Sequence, residues 1–246
     1  ALPICHHKAV DKVNLHIKKG AIYGFIGRNG AGKTTCLKMI SGLARPTAGE
    51  IEMFGCKGKE LERIRSRVGC LIEAPGLYGN MNAYTNLKIK CELFGIRKKG
   101  YIEDILETVA LEGVGKKKTK HFSLGMKQRL GIGLALVGEP DLLVLDEPIN
   151  GLDPQGIAEV RDTIQRLRDE RNMTILISSH ILEELSKIAT DYGIIHNGSL
   201  LQELTSEELM KRCSERIEIE LIHPEQAVPI LDRMGFTNYQ VTDKSH

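Results

Sequence analysis

The chain has 246 residues, with 34 Lys and Arg against 32 Asp and Glu, a formal net charge of +2, 41% hydrophobic residues and 27% charged ones. That length suits one large domain or two small ones, and the ordinary composition excludes disorder, collagen and coiled-coil rods. The near-neutral charge gives no global basic excess for a nucleic-acid partner, and no run approaches the ~18 consecutive apolar residues that a transmembrane helix needs.

The chain opens Ala1-Leu2-Pro3-Ile4, without an initiator Met or a signal segment, so its start is expected to be trimmed, processed or altered. Its six cysteines include no CxxC pair, which points to reduced thiols. Val13, Leu15 and Ile17 alternate with Asn14, His16 and Lys18, the period of a strand, closed by Lys19-Gly20. Ala21 to Ile26 reads as a buried strand. It runs straight into Gly27-Arg28-Asn29-Gly30-Ala31-Gly32-Lys33-Thr34-Thr35 and then a helix ending near Gly42. This is G-x-x-x-x-G-K-[ST] in its required setting, after a strand and opening a helix. The glycines let backbone N–H groups face phosphate oxygens, and the helix adds its positive end. Lys33 can reach the β and γ phosphates of ATP, and the Thr34 hydroxyl can ligate Mg²⁺. Asn29, Gly30, Ala31 and Thr35 offer backbone donors only, and Cys36 reads as a packing residue.

From Ala83 to Gly138 the period becomes helical, with Ile102, Ile105, Leu106, Val109 and Ala110 on one face. Leu142 to Leu145 is a second buried strand ending in Asp146-Glu147, at the strand end where α/β folds place ligands. Asp146 would hold Mg²⁺ through water, and Glu147 would polarise the attacking water as general base. Ile157, Val160, Ile164 and Leu167 mark another helix, and Thr174 to Ser178 a third buried strand. Asn197-Gly198 between two apolar runs signals a hairpin. Strands alternating with helices imply a largely parallel sheet. Leu209 to Cys213 closes this body. Ile217 to Leu221, a helix around Ala227 to Met234, and Tyr239 to Val241 suggest a small β-α-β appendage over 214–246, cut short at His246.

The ordered motifs then carry a resemblance. Phe122-Ser123-Leu124-Gly125-Met126-Lys127-Gln128-Arg129 keeps Ser and Gly in the places of an L-S-G-G-Q signature; Asn150-Gly151-Leu152-Asp153 resembles an S-G-L-D loop; Ser178-Ser179-His180 follows the third strand. With the phosphate loop and the acidic pair, these occur in the order of the ATP-binding cassette (ABC) family, over roughly residues 9 to 212. The resemblance implies an α/β fold: a P-loop NTPase with a RecA-like core, an antiparallel β subdomain and a helical signature subdomain near 75–140, all within a nucleotide-binding domain over 1–213. It implies a head-to-tail dimer with a second ABC subunit, identical or different, that sandwiches two ATP molecules. Ser123 and Gly125 would contact the γ phosphate across that interface; capping of the helix by Ser123 is compatible with this. His180 would contact the γ phosphate. Asp153 would link the two sites, or serve only as a helix N-cap before Pro154.

Where the family usually has Gln, this chain has Glu73, in Ile72-Glu73-Ala74-Pro75-Gly76-Leu77-Tyr78. Glu can still offer an oxygen to Mg²⁺ or to the attacking water, so Glu73 is both a catalytic and a metal-ligand candidate; the alternative is an exposed loop carboxylate. This stretch and the signature resemble the bacitracin and lantibiotic resistance-type exporters of bacteria. The aromatic residue that stacks on adenine in the family is replaced by Cys5-His6-His7. Two basic clusters, Arg97-Lys98-Lys99 and Lys116-Lys117-Lys118 with Lys120, read as solvated loops or as contacts for anionic headgroups. The expected function is that of an ATPase at the cytoplasmic face of the cell membrane, driving a separate transmembrane permease received near Glu73 to Tyr84; the resemblance implies export of a peptide antibiotic or lipid-like compound. The rivals are a non-transport cassette protein of DNA repair or translation, and a phosphate-loop kinase.

Overall fold

The computed structural model describes residues 8–212 and 224–235. The chain divides after Leu209 into two compact units. The first runs through β1 (Ile22–Ile26), α1 (Lys33–Ile40), β2 (Glu52–Met53), β3 (Cys56–Lys57), α2 (Leu61–Ile64), β4 (Val68–Leu71), α3 (Ala83–Leu93), α4 (Tyr101–Thr108) and α5 (Leu124–Leu136). It continues with β5 (Leu142–Asp146), α6 (Pro154–Arg171), β6 (Thr174–Ser179), α7 (Leu182–Ser186), β7 (Asp191–His196), β8 (Ser199–Thr205) and the start of α8 (Ser206–Arg212).

Six strands form one sheet in the order β4-β5-β6-β1-β7-β8, all parallel except the β7–β8 hairpin, and β2–β3 form a small antiparallel pair. The hairpin turns through Asn197 and Gly198, both at positive φ, the conformation that an Asn-Gly turn supplies. A strand covered on both faces must be apolar at every position. In β5, Leu143 and Leu145 accordingly join one buried cluster, and Leu142 and Val144 the other. The first cluster holds α5 and α6 residues such as Leu130, Ile132, Val160 and Ile164; the second holds Cys36 and Leu37 of α1.

Local chemistry sets the helix ends. Asn82 caps α3 by accepting from Thr85 N–H at 2.8 Å. α6 has Asp153 at its N-cap and Pro154 in its first turn, and Asn172 in the left-handed region ends it. α4 stops earlier than its apolar face suggested: Ala110 has φ of +51° and lies exposed outside the helix. Residues 13–18 keep the predicted alternation, with Val13, Leu15 and Ile17 packed on the second cluster, yet they pair with no strand among the described residues. The unit boundary falls inside α8, slightly before Cys213. Of the second unit, the structure describes the end of α8 and α9 (Pro224–Arg233). The two strands expected in the appendage, and Cys5-His6-His7, lie outside the described residues. No helix among the described residues is long and apolar enough to cross a membrane.

Candidate active site

The strand order places the C-terminal ends of β5, β6 and β1 side by side, and each ends in a motif found in the sequence. Phosphate-loop residues follow β1. A Cβ at Gly27 would sit 2.5 Å from the Ile195 carbonyl oxygen, and one at Gly32, whose φ is +105°, would sit 2.7 Å from the Ala9 oxygen. These two glycines are therefore demanded by close backbone approach. Lys33 is buried at the start of α1. Its Nζ donates to Gly27 O at 2.6 Å and Arg28 O at 3.3 Å, and lies 3.1 Å from Glu147 Oε1. The Thr34 hydroxyl donates to Asp146 Oδ2 at 2.7 Å.

At the end of β5, Glu147 takes φ of +48°, the left-handed region that a glutamate seldom adopts. Its Oε2 meets His180 Nδ1 at 2.8 Å. Its Oε1 is buried and, although close to Lys33, has no hydrogen-bond partner of good geometry. A carboxylate oxygen keeps a lone pair beyond such an ion pair and can accept from a further donor. Lys33, Thr34, Asp146, Glu147 and His180 thus converge.

The donor set fits a magnesium nucleotide. Mg²⁺ favours one or two protein oxygens together with phosphates and water, which matches Thr34 and Asp146. Among the described residues no cluster of three or more His, Cys, Asp or Glu could hold a metal by itself.

Two groups of candidates lie apart from this cluster. Ser123 caps α5, accepting from Met126 N–H at 3.2 Å, and Asp153 caps α6, accepting from Gly156 N–H at 3.0 Å. The two helix starts adjoin: a Cβ on Gly125 would lie 3.5 Å from the Gly156 Cα. Leu124 between them is 47% exposed. Glu73, offered by the sequence as a metal ligand and catalytic group, is instead engaged by Lys38 of α1, whose Nζ donates to Glu73 Oε1 at 2.6 Å. That bond and the lysine charge hold the Glu73 carboxyl below its usual range. Its backbone sits at φ of +63°, and the turn carries the side chain to the last turn of α1.

Beyond Glu73 opens a groove of about 400 Å³, lined by Cys70, Ala74, Tyr78, Asn86, Lys90 and Phe94 among others. Burial lowers the Lys90 ammonium from its usual range. Asn86 shapes the rim, accepting from Tyr78 N–H and donating to the Tyr78 and Asn82 carbonyls. The basic clusters at Arg97 to Lys99 and Lys116 to Lys120 are exposed, apart from Thr119.

Sequence reasoning missed Asn86 as a rim-shaping residue and gave Ser178 no separate duty. Ser178 is fully buried, donates to Asp146 Oδ1 at 2.6 Å and accepts from Glu147 N–H at 2.9 Å.

Residues 10–150 match the family described as ABC transporter. The chain is 49% identical to the bacitracin transport ATP-binding protein BcrA of Bacillus licheniformis, over 92% of this chain and 74% of that protein. It is 45% identical to the lantibiotic transport ATP-binding protein SrtF of Streptococcus pyogenes, over 79% of this chain and 83% of that protein. A solved structure titled as an ATP binding subunit of an ABC transporter superimposes with a TM-score of 0.71 at 29% identity, covering 83% of this chain and 86% of that one.

Proposed function

The chain belongs to the ABC transporter family and is an ATP-hydrolysing cassette of it; from that premise we propose that it powers the export of a peptide antibiotic through a separate membrane permease. The cargo class rests on the relatives' names, which speak of bacitracin and lantibiotic transport. The resemblance of the Glu73 stretch and the signature to such exporters supports the same reading.

The proposed mechanism starts from the convergence of Lys33, Thr34, Asp146, Glu147 and His180 at three adjacent strand ends. Gly27, Asn29, Gly30, Ala31, Gly32 and Thr35 cradle the phosphates through backbone N–H groups at the start of α1. Lys33 exchanges its carbonyl partners for β and γ phosphate oxygens. Thr34 and, through water, Asp146 would hold Mg²⁺, which would supply charge neutralisation at the phosphates. Glu147 accepts the proton of the attacking water through Oε1, and His180 holds the opposite oxygen of that carboxylate, fixing its direction. Ser123 and Gly125, at the exposed start of α5, meet the γ phosphate of a second cassette bound head to tail, and Asp153 stands at the seam. Glu73, once released by Lys38, would offer an oxygen to Mg²⁺ or to the attacking water, and the neighbouring groove receives a cytoplasmic segment of the permease. On this reading the subunit works at the cytoplasmic face of the membrane.

The observation that carries the reading is the Glu147 carboxylate at the end of β5, held between Lys33 at 3.1 Å and His180 at 2.8 Å. Replacing Glu147 with Gln keeps the shape and removes the base. Steady-state ATPase should fall at least ~100-fold while ATP binding persists. Turnover within twofold of the unmodified protein would remove Glu147 from the role of base.

A further inference from the structure

We propose that Ser178 is a positioning residue for hydrolysis: its buried hydroxyl ties Asp146 to the backbone of Glu147 and so sets where the base points. The inference rests on the assignment of Glu147 as base and deepens it.

The register puts Ser178 opposite Asp146 on one neighbouring strand and opposite Phe25 on the other, so its side chain sits in the middle of the sheet's C-terminal edge. It is fully buried. A hydroxyl has one proton to give and lone pairs to receive. A backbone N–H can only donate, so the hydroxyl oxygen accepts from Glu147 at 2.9 Å. The hydroxyl proton is then given to Asp146 Oδ1 at 2.6 Å. The direction of both bonds is therefore fixed.

This N–H belongs to the residue at φ of +48°, a conformation that costs about 1–2 kcal/mol for a side-chain-bearing residue and persists only where the surroundings impose it. The turn is also closed on the other side, where Asn150 N–H donates to Glu147 O at 3.1 Å. Left-handed backbone at this point aims the carboxylate between Lys33 and His180. The adjacent Ser179 has a different duty: its hydroxyl accepts from Ile181 N–H at 3.0 Å and serves the next turn.

Ser178→Ala removes the bridge and leaves the Glu147 N–H and one Asp146 oxygen without it. A hydrogen bond to a charged group contributes about 1.5–3 kcal/mol, so if the loss is felt at the transition state, kcat should fall about 10- to 100-fold. Because the phosphate loop keeps its contacts, KM for ATP should stay within twofold. Ser178→Thr retains the hydroxyl and a strand-favouring side chain, and should restore most of the lost rate. Should Ser178→Ala not fold, Ser178→Cys places a weak donor in nearly the same shape and should show the same split between kcat and KM.

The measurement is steady-state ATPase over ATP and Mg²⁺ concentration, with Glu147→Gln in parallel. A Ser178→Ala kcat within twofold of the unmodified protein overturns the inference. So does an equal loss in Ser178→Thr, since packing and not the hydroxyl would then be at stake. A raised Mg²⁺ requirement with unchanged saturating kcat would assign the hydroxyl to Asp146 alone and also defeat it. If Glu147→Gln still turns over, the assignment of the base has failed and this inference falls with it; an inactive Glu147→Gln beside an unaffected Ser178→Ala refutes only the inference.

Discussion

Arg129 lies in α5, two turns after the signature serine, and is 7% exposed. Its guanidinium donates to Val109 O at 3.1 Å and to Ala110 O, the carbonyls just past the end of α4, and pairs with Glu159 of α6 at 2.9 Å. One side chain thus closes a helix end and joins three helices. Arg129→Met keeps the apolar stem and removes every donor. Breaking a buried ion pair costs about 3–5 kcal/mol, but the Glu159 side chain is 37% exposed and can rehydrate. The change also removes the Arg129 Nε, a buried donor with no partner. The remaining cost is two carbonyls left without their donors, about 1–3 kcal/mol each. A net loss of about 2–4 kcal/mol follows, or roughly 5–12 °C in Tm for a body of this size. Arg129→Lys should lose nearly as much, because a point charge cannot span Glu159 and both carbonyls. Calorimetric unfolding checks both variants. A Met variant melting within about 2 °C of the unmodified protein would show that the pair has no net value, and the reasoning would be wrong.

Gly27→Ala should abolish ATP binding, since its Cβ meets the Ile195 oxygen at 2.5 Å, whereas a Cβ at Gly30 meets nothing within 4 Å and carries only the strain of φ +80°. Gly30→Ala should therefore cost about 1–2 kcal/mol and retain binding in a fluorescent-nucleotide titration; equal loss in both would refute the distinction. Desolvation pushes the Glu203 carboxyl up, but hydrogen bonds from His16 and Tyr23 outweigh it and hold it below 4.5. Its contribution is then complete above that pH and is lost as pH falls through the lower folded value. Tyr23→Phe removes a 2.6 Å bond to Glu203 and should weaken that dependence, seen as a flatter stability curve on the acid side of the ordinary carboxylate range; identical curves would exclude the bond as its source. Burial pushes the Cys36 thiol up to about 11, so alkylation at pH 8 should be slow until urea unfolds the chain, as mass spectrometry of the labelled peptide would report.

Most of the fold could be read from local pattern. The uninterrupted run Leu142 to Leu145 announced a strand covered on both faces, and Asn197-Gly198 announced its hairpin. Ala110 was misread because the apolar period continues after the backbone has left the helix. The Lys38 contact of Glu73 was not legible in the sequence, because its left-handed φ and the reach of Lys38 are tertiary facts. Ser178 and Ser179 are identical letters side by side. Strand alternation turns one hydroxyl toward Asp146 and the other toward Ile181, and register decides which.

The same register explains why the site is one connected object. Asp146 accepts from the Thr34 and Ser178 hydroxyls, Ser178 accepts from the Glu147 N–H, and the Glu147 carboxylate meets His180 Nδ1. Lys33 closes the path back to the phosphate loop through Glu147. Three links join the ends of β5 and β6 and the others reach the segment after β1, so the helix that follows the phosphate loop and the histidine after β6 are held by one chain of short contacts. Buried polar networks of this kind stabilise one arrangement only when every member is satisfied. Glu147 is engaged from both sides, with Lys33 Nζ 3.1 Å from Oε1 and His180 Nδ1 2.8 Å from Oε2. Loss of either partner should therefore loosen the direction of the carboxylate and, with it, the tie between the phosphate loop and the end of β6.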